Sequence, residues 1–162
     1  RIFWQFMNLI QDLNIETYTR TITKSCPNLR FVSIFVGKDS LCSLERILKC
    51  CNLLEGIDIQ MNPGSDLTQT APAIELLGRY APKSLSTIVM DILNCEILPD
   101  TLDAFLEEWW GQKRKPLGLY INIGKLSQEV LDIIEQYKFK GIIKEFYYRD
   151  MTPFYEIDSI RK

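Results

Sequence analysis

Residues 50–59 read CCNLLEGIDI, and the same pattern stands at residues 8–15 as NLIQDLNI. In both, Asn-Leu is followed by an aliphatic residue four positions after the leucine and by another two later. Leu53, Ile57 and Ile59 therefore answer to Leu9, Leu13 and Ile15. The closing pair alternates as a half-buried strand does, because successive side chains of a strand point to opposite faces. A variant one residue shorter stands at NLRFVSI (28–34) and SLSTIVM (84–90), carrying Leu29, Val32 and Ile34, then Leu85, Ile88 and Met90. PLGLYINI (116–123) supplies Leu117, Leu119, Ile121 and Ile123, and IIKEFYY (142–148) ends in Phe146 and Tyr148, so six strands are expected.

Between them the apolar period changes from two to three and four, which marks helices. The clearest stripe is Leu98, Leu102, Phe105, Leu106 and Trp109, with Pro99 and Asp100 suited to a first turn. Others are Leu41, Leu44, Ile47 and Leu48; Ala73, Ile74 and Leu77; and Leu126, Val130, Ile133, Ile134 and Tyr137. A weaker stripe with Tyr18 and Ile22 precedes the strand at 32. Strand and helix alternate at a pitch of roughly 19 to 31 residues, near the leucine-rich-repeat range. The expected fold is α/β, a short leucine-rich-repeat solenoid over residues 1–150, with a curved parallel sheet and helices on its convex side. Residues 151–162 are expected to form a C-terminal tail. Each unit buries too little apolar surface to offset about 1 to 2 kcal/mol of ordering cost per residue, so the units must stack.

Composition removes several function classes. The formal charge of −2 comes from 19 basic and 21 acidic residues spread along the chain, which gives no face suited to a nucleic acid. The run Lys113–Lys115 is expected to be a solvated turn. Apolar stretches fall short of the roughly 18 residues of a membrane span, so no membrane partner is expected and the chain should be soluble; the intracellular place expected for it follows from its cysteine usage. The opening at Arg1, without methionine and already apolar at Ile2, Phe3, Trp4 and Phe6, reads as a fragment. Five cysteines, an odd and sparse set, suit a reducing compartment better than a disulfide framework.

CPNLRFVSI (26–34) and CCNLLEGIDI (50–59) resemble the cysteine-containing leucine-rich repeats of F-box proteins, where a Cys-x-x-Leu corner ends a helix and leads into a strand. The chain is similar to the expanded fungal F-box-like family also through APKSLSTIVM (81–90) and LSQEVLDIIEQYKFKGIIKEF (126–146). The resemblance implies recognition of a protein substrate for a cullin-based ubiquitin ligase. It also implies an F-box upstream of Arg1 that docks on the ligase adaptor subunit; no F-box is visible in these residues. The alternative is a leucine-rich-repeat scaffold or immune-type sensor without ligase coupling. Cys26 and Cys50, each three before a leucine, are expected to be buried, unbridged thiols at successive corners.

Catalysis is not expected. The chain has no histidine, which removes Ser-His and Cys-His pairs and most hydrolytic zinc sites. The pairs Glu107 with Glu108 and Asp100 with Asp103 read as solvated helix charges. Cys26, Cys42, Cys50 and Cys51 contain no Cys-x2-Cys spacing for zinc, and Gly64, Gly111 and Gly124 form no phosphate loop. No cofactor is expected. Trp109 continues an apolar stripe, whereas Trp110 lies about 100° around the helix. What stays is the set of strand residues that alternate with the core positions. The candidate protein-binding face therefore comprises Asp12, Asn14, Ser33, Phe35, Asp58, Gln60, Val89, Asp91, Tyr120, Asn122, Tyr147 and Arg149.

Overall fold

A computed structural model describes residues 15–37, 40–61, 69–92, 96–123 and 126–150. Helices and strands alternate throughout: α1 (Ile15–Ser25), β1 (Phe31–Val36), α2 (Leu41–Cys50), β2 (Gly56–Met61), α3 (Thr70–Tyr80), β3 (Thr87–Ile92), α4 (Pro99–Gly111), β4 (Leu117–Ile123), α5 (Gln128–Phe139) and β5 (Ile143–Asp150). The five strands form one parallel sheet in the order of the chain. The helices follow the same order, each packed against the next.

The apolar half of every strand meets the apolar stripes of the helices in a single core. Val32, Ile34 and Val36, then Ile57 and Ile59, Ile88, Met90 and Ile92, and Leu119, Ile121 and Ile123 are buried with Leu44, Ile47, Leu48, Ile74, Leu77, Leu102, Leu106, Val130 and Ile134. Each such aliphatic side chain contributes about 1.5 to 3 kcal/mol when fully removed from water. Pro99 opens α4 where a missing N–H costs nothing, and Ser127 caps α5 by accepting from the Val130 N–H at 3.3 Å. Tyr137 ties the last two helices together, its hydroxyl donating to Asp103 Oδ1 at 2.8 Å.

The corner between α2 and β2 differs from the expected one by one residue, while Leu29 and Leu85 stand at their corners as expected. Leu54, fully buried, occupies the corner, and Leu53 is 48% exposed. The Leu54 N–H donates to the Cys51 carbonyl just as Leu29 donates to Cys26 and Leu85 to Pro82. With Leu54 in place, Leu29, Leu54 and Leu85 all precede their core residues, Val32, Ile57 and Ile88, by three, so the shorter spacing is the common one. The cysteine expectation changes with it. Cys51 is the buried corner thiol, and burial pushes its pKa up. Cys50, at the last position of α2, turns outward and is exposed; Cys26, at the first described corner, is exposed too. Cys26, Cys42, Cys50 and Cys51 form no disulfide bond among the described residues.

Two other expectations change. The first strand, Leu9 to Ile15, lies outside the described residues except for Ile15, which opens helix α1. The basic run is a turn, with Lys113 at φ 51°, but Arg114 within it is only 8% exposed. Its guanidinium lies 4.9 Å from the centre of the Trp109 ring and donates to the Leu77 carbonyl at 3.2 Å, while Gln112 Nε2 donates to the Gly78 carbonyl at 3.2 Å. The turn thereby supplies a donor to the Gly78 carbonyl, one of the groups a helix end leaves orphaned, and a second donor to the Leu77 carbonyl, which already accepts from the Ala81 N–H at 3.1 Å. Burial lowers the Arg114 pKa from its ordinary value, with the neighbouring Glu108 acting the other way.

Candidate interaction face

The residues that alternate with the core positions fall into three rows across the side of the sheet turned away from the core. Parallel pairing sets Phe31, Gly56, Thr87, Gly118 and Glu145 in one row; Ser33, Asp58, Val89, Tyr120 and Tyr147 in the next; and Phe35, Gln60, Asp91, Asn122 and Arg149 in the third. Adjacent strands in a sheet lie about 4.8 Å apart, so each row is a continuous strip. The second and third rows are the ten described candidates from the sequence. Asp12 and Asn14 lie outside the described residues.

The first row lies outside the set expected from the sequence, because the aliphatic pattern of each strand begins one residue after it. Parity alone could have found it: Phe31 has the phase of Ser33, and Gly56 the phase of Asp58. Phe31 is 64% exposed, and its ring lies over Gly56, where a Cβ would sit 2.6 Å from Phe31 Cδ1. Glycine is needed there for that close approach. Tyr120 leans over Gly118 in a similar way, 3.4 Å from where a Cβ would stand.

The carboxylates of this face are held differently from one another. Asp58 Oδ2 accepts from Ser33 Oγ at 3.0 Å and from Gln60 Nε2 at 3.2 Å, which fixes the side chain between two strands. Gln60 is only 9% exposed, drawn down onto the sheet. Asp58 Oδ1 and Asp91 Oδ1 are shielded from solvent and have no hydrogen-bond partner. Burial raises the Asp91 pKa above the ordinary aspartate value, and the nearby charge of Asp58 raises it further. Glu145 accepts from the Tyr120 hydroxyl at 2.5 Å, which pushes the phenol pKa up. Among the described residues, no lysine or arginine lies within ion-pair distance of Asp58 or Asp91.

Between Phe31 and Val89 the face has a hollow of about 150 Å³ lined by Phe31, Ser33, Gly56, Asp58, Thr87 and Val89. Elsewhere, Trp109 is buried as its stripe implied, and Trp110 is 60% exposed on the helix side. Among the described residues, no group of three histidine, cysteine, aspartate or glutamate side chains is placed to hold a metal ion. No described helix is long and apolar enough to cross a membrane. No family model and no curated protein matches this chain.

Proposed function

We propose that this chain is a protein-interaction segment, a leucine-rich-repeat solenoid that binds its partner on the open face of the sheet and catalyses nothing by itself. The observation that carries the reading is the three-row face: five parallel strands in chain order present a continuous strip of acidic, amide and aromatic side chains that takes no part in the core. Such a surface has the mixed polarity of a non-obligate interface, with Phe31, Phe35, Tyr120 and Tyr147 as aromatic anchors. The resemblance of the corners to F-box repeats supports a narrower assignment, substrate recognition for a cullin-based ubiquitin ligase. In that role an F-box elsewhere in the protein would hold the adaptor subunit.

The test uses a photo-crosslinking residue placed in turn at Asn122, on the face, and at Glu129, on helix α5. A partner captured from Asn122 and not from Glu129 is the expected result. Tyr120→Ala and Phe35→Ala should then each weaken that complex by about 1 kcal/mol or more. Capture from helix positions such as Glu45 and Glu129 alone, with both aromatic substitutions silent, overturns the assignment of the face. Co-purification of the full-length protein with a cullin adaptor tests the ligase role separately, and its absence removes that role while leaving the face.

A further inference from the structure

We propose that the hollow beside Phe31 receives one cationic side chain, a lysine or arginine, from the protein partner. The inference rests on the reading of the open sheet face as the binding surface. Its size speaks first. About 150 Å³ is well below the roughly 300 to 1,000 Å³ of sites that hold small molecules and cofactors. It has room for a single side chain inserted from a partner.

Its chemistry then selects the occupant. Phe31, Gly56, Thr87 and Val89 are among the residues that line the hollow, and their apolar surface suits the methylene stem that lysine and arginine share. The Phe31 ring, lying over Gly56 and 64% exposed, offers a π face to a cation. Asp58 closes one side, oriented by Ser33 and Gln60, with a carboxylate charge that no described lysine or arginine neutralises. Asp91 stands one strand away, diagonally beyond it, and adds a second negative charge. An apolar occupant would cover the Asp58 charge without pairing it, which is costly, and an acidic one would be repelled. Only a cation on an apolar stem satisfies both the walls and the carboxylate.

Arg30, which precedes β1, is paired with Glu55 at 3.4 Å, and the residues lining the hollow include no lysine or arginine. Ser33 and Gln60 already fix Asp58, so less side-chain freedom is lost when a cation arrives.

The experiment is a nitrogen-15 NMR titration of the chain with N-acetyl-arginine amide and N-acetyl-lysine amide, using N-acetyl-norleucine amide as the uncharged control with the same kind of stem. Saturable shifts are expected at the amides of Gly56, Thr87 and Val89, with the control binding at least about tenfold more weakly, as for a charge-assisted contact. Asp58→Asn keeps the shape and both acceptor bonds, and should weaken the cations by a similar factor while leaving the rest of the spectrum in place. Phe31→Ala should weaken all three ligands. Equal response to norleucine, an unchanged Asp58→Asn variant, shifts centred elsewhere, or no shift at tens of millimolar each overturns the proposal. If a partner crosslinks from Asn122 while the hollow ignores cations, this inference falls and the interaction face stands. A partner that crosslinks only from helix positions removes the face itself.

Discussion

On the helix side of the sheet, the positions from Val32 to Ile123 are filled by Val, Ile, Leu and Met and are buried strand after strand; on the other side the same strands change character at every step. The second row runs Ser33, Asp58, Val89, Tyr120, Tyr147, and the third runs Phe35, Gln60, Asp91, Asn122, Arg149. Packing explains the first side completely, since each strand and helix must match the shape of its neighbours in the shared core. It explains none of the second. Asp, Asn and Gly are disfavoured in strands, yet Gly56, Asp58, Asp91, Gly118 and Asn122 all lie in the three central strands. These residues run against local strand preference, and two of them have a carboxylate oxygen lacking a partner, which supports the proposed interaction face.

The comparison predicts very unequal costs of substitution. Trp109→Ala should destabilise the chain most, by about 3 to 5 kcal/mol, because it empties the largest site in the core. It also removes the 2.9 Å bond from the indole N–H to the Lys115 carbonyl and the surface on which Arg114 rests. Tyr120→Ala, on the open face, should stay within about 0.5 kcal/mol of the parent. Urea unfolding of both variants tests the contrast, and similar midpoints would show that the open face is part of the scaffold.

Arg114→Met comes next. It keeps a flexible stem over Trp109 and deletes the charged donors to the Leu77 carbonyl and to Gln112 Oε1, at a cost of about 1.5 to 3 kcal/mol. A variant as stable as the parent would mean that the turn is solvated, as the run of basic residues suggested. Gly56→Ala should do less to stability, about 1 kcal/mol or under, since the Phe31 ring is free to swing into solvent. It should nevertheless reshape the hollow, read as loss of the Phe31 ring-current shift on neighbouring β2 and β3 signals.

The two sides were not equally legible in the sequence. Five strands, their order and the helices between them follow from periodicity, because burial on one side leaves a repeating mark that can be counted. The phase of the outward residues follows from the same count, and Ser33 to Arg149 fall where it places them. What the count misread were junctions. Asn-Leu at 52–53 matched Asn-Leu at 8–9 by letter, yet the chain places Leu54 in the corner, and a one-residue slip turned Cys50 out and Cys51 in. Arg114 was legible only as charge, since its burial depends on Trp109 and on the end of a helix more than thirty residues earlier. The hollow could not be read from periodicity at all: it arises where the Phe31 ring lies over Gly56 on the neighbouring strand, a contact across chain separation.

The smallest effect expected on the open face is electrostatic, and its sign is definite. Asp91 has its pKa raised above the ordinary aspartate value of 3.8, first by burial and second by the charge of Asp58. A carboxyl with a raised folded-state pKa favours the native state when protonated. Its contribution to stability is therefore fully present below pH 3.8 and is lost as pH rises through the raised value. Asp58→Asn removes the second cause and leaves the first. The Asp91 titration, followed by carboxyl carbon NMR, should move down while staying above the ordinary value, and the variant should gain stability at neutral pH relative to acid. On the helix side of the sheet, Ile59→Val cuts into the core without touching a charge, so its loss of stability should be the same at both pH values. If the Asp91 titration does not move in Asp58→Asn, the two carboxylates do not sense each other, and the open face lacks the shared negative potential that a cationic partner would meet.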